Sequence, residues 1–128
     1  MNANDVLLAD VLVVDDEEPV RSTVAEILRS AGYSVLEAED GQVALDLLRS
    51  GHVEVLLLDI RMPRRIGIEV LQALDSPPHV ILMSAFRFEG EDERSVGHKV
   101  FSHLVKPVAP RRLLDEVSAA MGTNDKGS

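Results

Sequence analysis

Five short runs of β-branched and aliphatic residues alternate with amphipathic stretches along this chain, and no other feature narrows the possible folds as far. The runs are Val11–Val14, Tyr33–Ala38, Val53–Leu58, His79–Met83 and Phe101–Val105. Short unbroken apolar runs suit strands covered on both faces, the condition of parallel strands joined by helical crossovers. The intervening stretches have helical spacing. Val20, Val24, Ile27 and Leu28 share one face between Pro19, suited to a first turn, and Gly32. Val43, Ala44, Leu47 and Leu48 do so between a capping Asp40 and Gly51. Ile68, Val70, Leu71 and Leu74 precede Pro77-Pro78, and Leu113, Leu114 and Val117 lie between Pro110 and Gly122. The acid-rich segment from Phe86 to Lys99 holds Gly90 and Gly97, so a fourth helix there is expected to be short or loose. The pattern predicts an α/β three-layer sandwich, a parallel sheet between helical layers.

At 128 residues and 45% hydrophobic, the chain is long enough for one core and too short for two ordinary domains. A single domain is expected, ordered from about residue 9 to 121, with a polar, disordered tail at 122–128. The absence of cysteine rules out disulfides and thiolate metal sites and fits a reducing compartment, so cytoplasmic localisation is the default. The first ten residues lack a basic n-region and no apolar run approaches the ~20 residues of a membrane span, so no membrane association is expected. A net charge of -9 would repel a phosphate backbone, which argues against direct nucleic-acid binding.

Ligands of open α/β sheets bind beyond the carboxyl ends of strands. Strand one ends in Asp15-Asp16, strand three in Asp59, strand four in Ser84 and strand five in Lys106-Pro107. Each residue alone has an ordinary explanation: a helix cap, a turn acid, a local hydroxyl, a surface charge. Together, with all strands parallel, they would bring three carboxylates, a hydroxyl and an ammonium to one edge. Such a carboxylate cluster demands raised pKa values or a cation, and Mg²⁺, which takes oxygen ligands, is the natural occupant. Asp59 would then be a nucleophile towards phosphorus, with Lys106 and Ser84 meeting the charge that develops on the phosphoryl oxygens.

From Val11 to about Ala120 the chain resembles the response regulator receiver family. VLVVDDEEPVR is similar to the family's first strand and acidic pair, LLLDIRMPRRIG to its phosphorylation segment, ILMSA to its fourth strand and LVKP to its lysine-proline motif. The resemblance implies a doubly wound, flavodoxin-like sheet of order 2-1-3-4-5 with five helices. It implies phosphorylation of Asp59, with Asp16 and Asp59 binding Mg²⁺ directly, Asp15 assisting partly through water, and the Arg61 carbonyl as a further ligand. It also implies a cis bond before Pro107, a switch involving Ser84 and residue 103, and signalling through the fourth helix, fifth strand and fifth helix. The partners implied are a sensor histidine kinase or histidine phosphotransfer protein as donor, and a downstream protein target or output domain. The chain would be a phosphoacceptor that assists its own chemistry rather than an enzyme in the ordinary sense.

Three features depart from the family. His103 stands where Tyr or Phe is usual, and imidazole is smaller and titrates near neutral pH, so the switch can differ. Arg64-Arg65-Ile66 replaces a glycine-and-acid pattern, and Lys99-Val100 replaces a Gly-Ala pair. A stand-alone receiver is the expected form, with a domain excised from a longer regulator as its rival. A haloacid-dehalogenase-type phosphatase uses a similar residue set but wants Asp-x-Asp-x-Thr after the first strand, where this chain reads Asp15-Asp16-Glu17-Glu18. A domain that only binds is disfavoured by the complete acid, hydroxyl and lysine set. Arg61 and Phe86, two positions beyond Asp59 and Ser84, are bulky and are expected to obstruct hydrolytic water. Replacing Phe86 with Ala is predicted to speed loss of the phosphoryl group in a time course of intact mass; an unchanged rate would sink that role.

Overall fold

The computed structural model describes residues 6–59, 64–74, 76–85 and 99–124, without the side chains of 64–68, 123 and 124. Strands β1 (Leu7–Val14), β2 (Val35–Ala38), β3 (His52–Asp59), β4 (His79–Ser84) and β5 (Val100–Val105) form one sheet of order β2-β1-β3-β4-β5. Every adjacent pair is parallel. Four helices lie among the described residues: α1 (Glu18–Ser30), α2 (Gly41–Ser50), α3 (Arg64–Ala73) and α4 (Pro110–Asn124). The helix expected between Phe86 and Lys99 falls almost wholly outside the described residues, so α4 here is the fifth helix of the sequence reading.

The period-2 pleat sorts the strand side chains into two cores. Leu12, Val14, Leu56, Leu58, Val80 and Leu82 pack with Ala44 of α2 and Val70 and Leu71 of α3. Val11, Val13, Val55, Leu57, Ile81 and Met83 pack on the other face with Val24, Ala25 and Leu28 of α1 and Leu113, Val117 and Ala120 of α4. Leu12, Leu56, Leu57, Ile81, Leu82 and Met83 are fully buried, so the central strands are apolar on both sides along these residues. Each such side chain contributes roughly 1.5–3 kcal/mol through burial.

Local chemistry sets the element boundaries. Pro19 occupies the first turn of α1. At its other end Tyr33 N–H donates to Leu28 O and Gly32 N–H to Arg29 O, a double closure that requires the left-handed φ of +102° at Gly32. That closure takes Tyr33, and Ser34 exchanges two hydrogen bonds with the Asp10 side chain and amide, so β2 starts at Val35 rather than at Tyr33. Asp40 caps α2 by accepting from Val43 N–H at 2.9 Å. β1 begins at Leu7, ahead of the apolar run, because its backbone already pairs with β3 there. α4 does not stop at Gly122 but continues to Asn124.

Gly51 closes α2 for a reason other than backbone conformation, since its φ of 179° is open to any residue. A Cβ there would lie 2.5 Å from Val6 O and 2.8 Å from Leu8 Cγ, so the start of β1 passes directly over it. Gly51→Ala is predicted to destabilise the protein by about 1–3 kcal/mol through this overpacking. Gly32→Ala should cost about 1–2 kcal/mol through its positive φ. Urea unfolding would check both, as lower midpoints at unchanged slope.

Candidate functional site

In the order β2-β1-β3, successive connections leave β1 in opposite directions, so the carboxyl ends of β1 and β3 flank the crevice where such sheets bind ligands. Asp15 and Asp16 follow β1 and Asp59 is the last residue of β3. One carboxylate oxygen from each lies within 4.8 Å of the others, a group able to hold a metal ion. Asp15 is buried and Asp16 exposed. The buried acid is committed on both oxygens: Oδ1 accepts from Glu17 N–H at 2.9 Å and Oδ2 from Lys106 Nζ at 3.0 Å.

Lys106 follows β5 and reaches back across the edge. Its Nζ lies 3.0 Å from Asp15 Oδ2, 3.1 Å from Asp59 Oδ2 and 3.9 Å from Glu17 Oε1. Its backbone N–H donates to Ser84 O at 2.7 Å, tying the ends of β4 and β5 together, and the Lys106–Pro107 peptide is cis. Burial disfavours the ammonium, but the hydrogen bond to Asp15 and the charges of Asp59 and Asp15 more than reverse this, so its pKa lies above the ordinary 10.5. Three carboxyl groups share this single ammonium, a set of oxygen donors that suits a divalent cation.

Ser84 ends β4 on the same edge and is buried. Its Oγ is hydrogen-bonded to His103 Nε2 at 3.1 Å, so the two positions expected to act together in switching are in direct contact. Arg61, whose carbonyl the family resemblance makes a metal ligand, and Phe86 lie outside the described residues, as do the side chains of Arg64 and Arg65.

Three sets of contacts were not predicted from sequence. Arg21 Nη1 donates to Asp15 O at 2.9 Å while its Nε pairs with Glu37 at 3.2 Å, which holds the loop carrying the acidic pair against α1 and β2. Glu17 adds a carboxylate facing Lys106. Lys99, one of the departures from the family, donates from Nζ to Leu71 O at 2.8 Å and Leu74 O at 2.7 Å, closing the carboxyl end of α3. An arginine early in the helix that follows the acidic pair was the visible signal for Arg21; the other two contacts depend on the tertiary fold.

Because folding raises the pKa of Lys106, its contribution to stability is complete below about 10.5 and is lost as pH rises through the folded value. Lys106→Met should therefore be less stable than the wild type at neutral pH, with the gap narrowing as pH rises above 10.5. Urea midpoints of both proteins across that range, without divalent ions, check the sign; a gap that widens would contradict it.

No helix among the described residues is long and apolar enough to cross a membrane. The family model described as the response regulator receiver domain matches residues 11–118. The transcriptional regulatory protein PdtaR of Mycobacterium tuberculosis is 32% identical over 114 residues, covering 87% of this chain and 56% of that protein. The chain thus spans little more than half the length of that relative. The polar-differentiation response regulator DivK of Brucella ovis is 27% identical over 117 residues, 88% of this chain and 95% of DivK. A CheY-like receiver domain protein from Methanospirillum hungatei superposes with a TM-score of 0.81 at 29% identity, covering 89% of this chain and 94% of its own. The acids, the lysine and the hydroxyl therefore stand at the strand ends of a chain that belongs to the response regulator receiver domain family.

Proposed function

We propose that this chain accepts a phosphoryl group on Asp59 in a Mg²⁺-dependent reaction and passes the resulting change of shape to another protein. The observation that carries the reading is the Lys106 ammonium set between Asp15 and Asp59, at 3.0 and 3.1 Å, beside an all-oxygen acidic cluster. A purely structural ion pair would need one acid rather than three.

In the proposed step an Asp59 carboxylate oxygen bonds to phosphorus while the bond from phosphorus to the donor breaks, its electron pair leaving with the donor. Mg²⁺ held by Asp16 and Asp59, with Asp15 and the Arg61 carbonyl assisting, would supply positive charge to the phosphoryl oxygens. Lys106 lies in reach of Asp59 and would follow the charge from the carboxylate to the phosphoryl group. The Glu17 N–H and the Arg21 guanidinium keep Asp15 placed while the charge beside it changes. Ser84, at the end of the neighbouring strand, would donate its hydroxyl to a phosphoryl oxygen, and the loop after β4 would move with it.

The donor would be a sensor histidine kinase or a histidine phosphotransfer protein. An apolar cleft between α1 and the β5–α4 connection, bounded by Val20, Ile27, Pro107 and Val108, runs up to Lys106 and is a surface that a donor would cover while presenting phosphorus to Asp59. The signal would leave through the β5 edge, where Phe101 and Val105 are exposed, with the segment before β5 and α4. The target would be a downstream protein or an output domain, and the setting cytoplasmic. The net charge of -9 supports a protein partner over nucleic acid.

Incubation with acetyl phosphate and Mg²⁺ should give a phosphoryl adduct by intact mass that is absent with EDTA and absent in Asp59→Asn. Persistence of the adduct in Asp59→Asn would move the acceptor elsewhere. Continuous release of inorganic phosphate from stable phosphate esters would instead mark a phosphatase.

A further inference from the structure

Ser84 and His103 come from adjacent strands and share one face of the sheet. In register, Ser84 lies opposite Val105 and His103 opposite Leu82, so the two are diagonal neighbours within reach across β4 and β5. Their 3.1 Å contact joins the hydroxyl of a residue that is only 3% exposed to a ring nitrogen. A serine hydroxyl carries one proton, and a buried one must direct it to an acceptor. The imidazole Nε2, 3.1 Å away, can fill that position in the tautomer that carries its proton on Nδ1. A phosphoryl group on Asp59 would ask for the same proton.

We propose that His103 is a positioning residue that restrains the Ser84 hydroxyl. Nε2 accepts the Ser84 O–H before phosphorylation, and this bond must be given up or reversed before Ser84 can donate to the phosphoryl group. The inference rests on the reading of Asp59 as phosphoacceptor. His103 thereby opposes the phosphorylated arrangement chemically, where a plain aromatic ring would act only through its shape. A neutral hydrogen bond of this kind is worth roughly a two- to tenfold change in an equilibrium constant.

The test uses beryllofluoride with Mg²⁺ as phosphoryl mimic on the full chain, as wild type, His103→Phe, Ser84→Ala and the double variant, with half-saturation read by calorimetry and folding of each checked by urea unfolding. His103→Phe should bind roughly two- to tenfold more tightly than wild type, and the gain should vanish in the Ser84→Ala background. Binding by His103→Phe no tighter than wild type, or the same gain without Ser84, overturns the proposal. Nitrogen NMR of the His103 ring in the wild type gives a readout independent of the variants: Nε2 should be unprotonated before the mimic is added and change state after it. A proton on Nε2 before addition overturns the restraint while leaving the phosphoacceptor reading intact. Absence of both beryllofluoride binding and acetyl phosphate labelling in the wild type overturns that reading, and the restraint with it.

Discussion

The ammonium of Lys106, held 3.0 Å from Asp15 and 3.1 Å from Asp59, is what allows several like charges to share one edge of the sheet. Carboxylates brought this close repel one another, and a buried one such as Asp15 would be costly without compensation. The rest of the site is arranged around that pairing. Glu17 N–H satisfies the second oxygen of Asp15, Arg21 fixes its carbonyl, and the backbone bond from Lys106 to Ser84 holds the lysine strand against its neighbour. The Glu17–Asp15 bond spans two residues of one loop, and the others join separate elements. They exist because buried aliphatic layers on both faces hold parallel strands in one register, so that distant residues end at the same height.

The departures from the family pattern take up physical roles of their own. Lys99 stands where a small residue is usual, and its amine satisfies two carbonyls at the end of α3. This joins α3 to the start of β5 by charge-assisted bonds, which are shorter and stronger than neutral ones. His103 places an imidazole where Tyr or Phe is usual, and its Nε2 meets Ser84 Oγ at 3.1 Å.

Much of the fold was legible because period and composition report burial directly. Val11–Val14 read as a strand covered on both faces, and all four residues are buried; Val53–Leu58 and His79–Met83 read as strands, and they are. The errors were at boundaries, where hydrogen bonds rather than hydrophobicity decide. β1 starts at Leu7 because its backbone pairs with β3 on either side of Asp10, the one polar residue that interrupts the apolar sequence there, and β2 starts late because the closure of α1 and the Asp10–Ser34 exchange take the residues before Val35. Gly51 was read as a helix stop, but what demands glycine is the nearby start of β1 rather than the backbone angle.

The residue types of the site, their places after apolar runs and the parallel class of the sheet follow from the order of residues alone, since each depends on local periodicity and on the chemistry of single side chains. Which partner each group takes did not follow. That Asp15 is buried and takes Lys106 while Asp16 is exposed, that Arg21 braces Asp15, and that Ser84 bonds to His103 are consequences of strand register and helix packing. Directional contacts of about 3 Å between residues far apart in sequence require the whole sheet to be in place, and no local pattern encodes them.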